Sequence, residues 1–146
     1  MTLQLQSTLK KSILAFSAIV MVWSFVSCSK NVAFQNSSAV PAAQGNVTVK
    51  KDSNKNYLIK IKIANLAEVN RLEPSRNFYV VWMETDEAVI KNIGQIKSDS
   101  GFMSSKLKAS FETVTSFKPE KIFITAEDHA DITTPGTQLI LSTSKF

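Results

Sequence analysis

The sequence predicts an all-β fold: an antiparallel β-sandwich of about seven short strands, preceded by a signal peptide and a flexible tether. Three observations predict it. Apolar residues after position 45 recur mostly with period two. Turn-forming residues interrupt that pattern at short intervals. No helical pattern longer than ten residues follows residue 27. A small barrel is the alternative closure for the same set of strands.

The elements follow in chain order. Lys10 and Lys11 precede Ser12 to Val26, fifteen residues without a charge. A positive start, an apolar stretch of this length and a small residue at its end make a secretory signal, and a spanning helix needs about 20 apolar residues. The chain's one cysteine, Cys28, closes this run. The tetrad Phe25-Val26-Ser27-Cys28 resembles a bacterial lipobox, although Phe25 stands where an aliphatic residue is usual. The resemblance implies cleavage before Cys28 and acylation of its thiol. Several acyl chains hold a protein firmly, at about 0.8 kcal/mol per buried CH₂. With Cys28 acylated, no thiol remains for a disulfide, and multi-cysteine zinc sites are excluded. Lys30 to Gly45 holds one charge and is rich in Asn, Ser, Ala and Gln, so it reads as a spacer between anchor and domain.

The strands begin at Asn46. Val47 to Lys51 is short and is followed by a turn-rich "DSNKN". In Tyr57 to Ile63, Tyr57, Ile59, Ile61 and Ile63 face one way, and Leu58, Lys60 and Lys62 the other. That alternation marks a strand with one wet face. The segment from Asn65 to Asn77 is a loop broken at Pro74-Ser75. Phe78 to Met83 is apolar on both faces, so it is expected to be a central strand covered on both sides, with Trp82 filling the sandwich centre and Tyr79 in the core. A turn at Thr85–Glu87 leads to a strand within Ala88–Lys97, where Ile90 or Ile93 points inward and Gly94 marks a bulge or a close approach. A second turn falls at Ser98–Gly101. Leu107 to Val114 alternates weakly, and Lys118-Pro119-Glu120 ends it. Lys121 to Glu127 places Ile122, Ile124 and Ala126 on one face. Thr134 to Thr137 fits a type II turn, with Pro135 at i+1 and Gly136 at i+2. Gln138 to Thr143 is the last strand. The expected organisation is therefore a signal peptide over 1–27, an anchor and tether over 28–45, and a folded domain over 46–146.

The folded part carries "LAEVNRLEPSRNFYVVWMETDE", then "NIGQI", then "KIFITAEDHADITTPGTQLILST". In this order it resembles the extracytoplasmic C-terminal domain of anti-sigma-K-type regulators, over roughly residues 46–143. Tyr79 and Trp82 match that family's Y-x-x-W strand, Gly94 its next glycine, and Thr125 and Glu127 its V-T-x-E strand. Thr134, Pro135 and Gly136 stand where the family has Pro-Thr-Gly, in altered order. The resemblance implies an Ig-like β-sandwich outside the membrane and brings no catalytic residues with it. The family's sigma-binding domain and membrane span would precede this module. Nine residues precede Lys10, so the expectation is an outer module re-anchored by lipid, without direct sigma inhibition.

Charge and chemistry narrow the function. The chain is formally +5; with Lys10 and Lys11 set aside, 15 basic residues remain against 12 acidic, net +3. The lysines are scattered and form no dense basic patch with interleaved aromatics, so nucleic acid is not an expected partner. His129, the one histidine, lies with Glu127, Asp128 and Asp131 in "EDHAD". The group reads either as a His–carboxylate or hard-cation site or as an exposed polar loop. Calcium needs six or more oxygens from several segments, and no Asp-x-Asp-x-Asp-Gly pattern is present. No serine sits in a G-x-S-x-G elbow, and four glycines build no phosphate-cradling loop. The expectation is therefore no catalytic residue, no metal and no cofactor. The chain is expected to be a lipoprotein of the bacterial cell envelope, extracytoplasmic and held at the membrane through Cys28. Its sandwich would bind a protein, glycan or small ligand. Two alternatives stand beside this: a regulatory component of anti-sigma or envelope-stress signalling, and a small hydrolase or metal binder using the Glu127–Asp131 loop.

Overall fold

A computed structural model describes residues 29–97 and 107–146. The expected signal peptide, Cys28 and the turn expected at Ser98–Gly101 lie outside them. Eight strands form two four-stranded sheets: β1 (Ser29–Ala33), β2 (Gln44–Lys51), β3 (Tyr57–Ala64), β4 (Phe78–Thr85), β5 (Ile90–Ile96), β6 (Lys108–Thr115), β7 (Pro119–Glu127) and β8 (Leu139–Ser142). One sheet has the order β1-β2-β3-β6 and the other β5-β4-β7-β8, with every pairing antiparallel. The chain changes sheet after β3, after β5 and after β6. That Greek-key path makes the Ig-like sandwich expected from the sequence.

The period-two pattern explains which residues meet between the sheets. Val47 and Val49 of β2, Ile59, Ile61 and Ile63 of β3 and Ala109 of β6 meet Tyr79, Val81 and Met83 of β4 and Ile122, Ile124 and Ala126 of β7. Fully burying one such aliphatic side chain contributes about 1.5–3 kcal/mol. Leu58, Lys60 and Lys62 take the solvent side of β3, and Lys60 pairs there with Glu112 at 3.0 Å. Ile93 packs on the core, while Ile90 is exposed. Gly94 carries φ +135° at a bulge opposite Val81/Trp82, and a Cβ there would lie 2.8 Å from the Phe111 ring. Both reasons for a glycine apply at this one position.

Three expectations are corrected. The spacer over 30–45 is part of the sandwich, which raises the strand number to eight. β1 pairs along β2, from Ser29 opposite Lys50 to Ala33 opposite Asn46. The chain then crosses to the second sheet, where Phe34 bridges Thr143 and the Gln35 N–H donates to the Ser142 carbonyl at 2.8 Å. Val40 and Ala43 are buried in the core, and the Ser37 hydroxyl accepts from the Val40 N–H at 2.9 Å. Composition hid this strand because its register is supplied by β2 rather than by its own alternation.

Trp82 is fully buried, but not between the sheets. It lies on the outer face of β4 with Val80 and Phe123, against Phe78 and Ile132. The Trp82 and Phe123 rings stack with centroids 6.2 Å apart. The loop after β7 covers them, and the Asn92 side-chain amide holds it by donating to the carbonyls of Ala130 and Ile132, each at 2.9 Å. The two-sided apolar character of β4 thus serves two cores.

The expected type II turn at Thr134–Thr137 is absent, because Gly136 does not have the positive φ that turn requires. Gly136 is set by a close approach instead: a Cβ there would meet Glu127 Oε2 at 2.6 Å.

Candidate functional site

The register places the strand ends at two poles. At one pole are the start of β1, the β2–β3 turn and the end of β6, since Ser29 faces Lys50, Lys51 faces Tyr57, and Tyr57 faces Thr115. The short crossing from Thr115 to Pro119 joins this pole to the same pole of the second sheet, where Thr85 faces Pro119 and Glu84 faces Ile90. We call this the near pole, because Cys28 immediately precedes Ser29. The far pole carries the loop after β3 and the loop after β7.

Four resemblance residues build one network at the far pole. The Trp82 Nε1–H donates to Thr125 Oγ1 at 2.8 Å, and the Thr125 hydroxyl donates to Glu127 Oε1 at 2.5 Å. The Gly136 N–H donates to the same carboxylate oxygen at 2.8 Å. Glu127 is thereby buried with its hydrogen bonds made, as a buried carboxylate must be. Tyr79, from the inner face, donates its hydroxyl to the Ala67 carbonyl at 3.0 Å, and burial pushes its pKa up to about 12.

The "EDHAD" residues do not converge. Glu127 turns into the network, and Asp128 meets Arg76 at 2.5 Å. His129 and Asp131 are exposed. Among the described residues no cluster of three or more His, Cys, Asp or Glu side chains is placed to hold a metal. Arg76 Nε also donates to Gln138 at 2.9 Å, and the Gln138 amide donates to the Pro74 carbonyl at 3.1 Å. These bonds brace the two far-pole loops against each other.

A groove of about 880 Å³ opens at this pole. Lys62, Lys97 and Lys108 line it with Gln44, Asn46 and Ser110, and no acid lines it among the described residues. Such a lining accepts anionic or hydrogen-bonding groups. A second depression of about 560 Å³ lies beside Arg76, Asn77 and Gln95. Sequence reasoning did not find either, because their residues come from the ends of several strands that only the fold brings together. The lysines at 62, 97 and 108 had no sequence spacing to distinguish them.

Neither family models, curated proteins nor solved structures gave a match to this chain.

Proposed function

We propose that this chain is a lipid-anchored, non-catalytic protein of the bacterial cell envelope, whose β-sandwich is an interaction or sensing module. One observation carries the reading: Lys10-Lys11, an uncharged apolar run and Cys28 stand in the order of a lipoprotein signal. The far-pole groove supports an interaction role, since it presents lysines and amides on a braced scaffold. Palmitate labelling with membrane fractionation tests the anchor. Wild type is expected to take up label and sediment with membranes, whereas Cys28→Ser loses the label and leaves the membrane fraction. Uncut, membrane-retained chains in both forms would overturn the reading in favour of an integral span.

The resemblance favours a second reading, a component of anti-sigma or envelope-stress signalling. The observation behind it is that Trp82, Thr125, Glu127 and Gly136 are joined in one network. Deleting the gene should then shift an envelope-stress regulon, and an unchanged transcriptome under envelope stress would sink it.

A further inference from the structure

We propose that the near pole is a bilayer-docking surface, which rests on the anionic phospholipid face into which Cys28 is anchored. The inference rests on the lipid-anchor reading. Five large apolar side chains are strongly exposed among the described residues, and four of them are at this pole: Val89, Ile90, Val114 and Phe117. Their exposures run from 43% to 61%, whereas Leu139, the fifth, starts β8 at the far pole.

Val89, Ile90 and Phe117 are held together at this pole, and Val114 stands on the outer face of β6 just before the crossing. The Asp86 N–H donates to the Lys118 carbonyl at 3.1 Å, which pins the β4–β5 turn against the β6–β7 crossing. Lys91 Nζ sits 4.0 Å from the Phe117 ring centroid, which ties the start of β5 to the same crossing.

The charge around the patch suits an anionic lipid. Lys30, Lys51, Lys55 and Lys91 make no ion pair among the described residues. Of the acids nearby, Lys145 pairs with Glu84 and Lys118 is shared by Asp86 and Glu120, while Asp52 and Glu87 make no ion pair among the described residues and are outnumbered by the four unpaired lysines. Lysines near an anionic bilayer surface are attracted to it, and they carry their charge to the headgroups while apolar neighbours enter the interface.

The point of attachment commits the occupant. Consecutive Cα atoms are about 3.8 Å apart, so an acylated Cys28 brings the bilayer to the first residue of β1. β1 is paired from Ser29 onward, and no free spacer separates the lipid from the domain. Docked in this way, the sandwich stands on end. Strands of eight residues then lift the far-pole groove about 26 Å above the headgroups, facing away from the membrane.

The test uses the full chain, lipidated in cells and reconstituted into phosphatidylethanolamine–phosphatidylglycerol vesicles. Acylation occupies Cys28, so a fluorophore attaches uniquely at Ser116→Cys on the near pole or Thr137→Cys on the far pole. The Ser116 probe should be quenched by iodide several-fold less than the Thr137 probe, and quenched by lipid-borne nitroxides. Combining Val114→Asp with Phe117→Asp should abolish that shielding; both side chains are solvent-facing, and circular dichroism should confirm an intact fold. Equal iodide access at the two positions overturns the proposal. Palmitate uptake reports the anchor separately. If wild type takes up no label, the anchor reading falls, and docking is judged on the Cys28→Ser chain added to the same vesicles. Shielding at Ser116 there supports docking, and equal access refutes it. Shielding in that chain without any vesicles would show that a second copy covers this pole, and would also refute it.

Discussion

Glu127 shows how a residue's chemistry and its neighbours fix each other. Its carboxylate accepts from Thr125 and from the Gly136 N–H, and the indole of Trp82 joins through Thr125. Hydrogen bonds to a charged group contribute about 1.5–3 kcal/mol each, so Glu127→Ala should lower the urea unfolding free energy by about that much, and Glu127→Gln by less. Gly136→Ala should cost about 1–3 kcal/mol, because the new methyl displaces the carboxylate. If that contact is the cause, the double variant will cost much less than the sum of the two single changes; simple additivity would mean that the contact with Glu127 is not what selects glycine there. Tyr79 gives a pH prediction. Its hydroxyl is neutral when protonated, and burial raises its pKa from 10.0 to about 12. The unfolded chain therefore gives up the proton first. The stability that neutral Tyr79 provides is complete below pH 10.0 and is lost as the pH climbs toward about 12. Urea midpoints across that window should fall for wild type and stay flatter for Tyr79→Phe. The apolar pattern announced that Tyr79 and Trp82 would be buried. It could not say that they face different cores, because a strand that is apolar on both sides has no wet face to orient it.

At the scale of elements, alternation carried the reading well wherever one face is wet. β3 shows this, with its three inward isoleucines and outward lysines. It failed for β1, an edge strand whose side chains are mostly exposed. Such a strand is specified by the open backbone groups of its neighbour, and the sequence of Ser29–Ala33 records little of that. The following turn is legible only through Val40 and Ala43, two small apolar residues in a polar stretch that look unremarkable until they are seen in the core. A spacer and a packed segment respond differently to mutation. Val40→Ala should destabilise the domain by about 1–2 kcal/mol, the transfer and cavity cost of a buried valine losing two methyl carbons. Limited proteolysis should also spare residues 30–45 under conditions that leave the domain folded. A silent Val40→Ala change with rapid cutting in this segment would restore the tether.

For the whole molecule, the two poles have different characters that no local stretch of sequence displays. Val89, Ile90, Val114 and Phe117 are separated along the chain by two strands, and the groove lysines at 62, 97 and 108 are similarly scattered. What brings each set together is antiparallel register, which returns every second strand end to the same pole. On the proposed anchor, this polarity makes the junction between Cys28 and Ser29 the mechanical pivot of the protein. A rigid junction keeps the apolar pole against the bilayer at high effective concentration, so weak contacts suffice to orient the domain. A flexible Gly-Ser insert of about 20 residues after Ser29 would reach about 25 Å, comparable to the height of the sandwich itself, and would release that constraint. The Ser116 probe in such a chain should become several-fold more accessible to iodide, and what shielding remains should fall with added salt, because only the screened lysine contacts and the small patch still favour contact. Palmitate uptake should not change, since the signal and Cys28 are untouched. If shielding were equally strong and salt-independent with the insert, docking would owe nothing to the direct junction. The packing of β1 against β2 would then serve stability alone, without a part in presenting the far-pole groove.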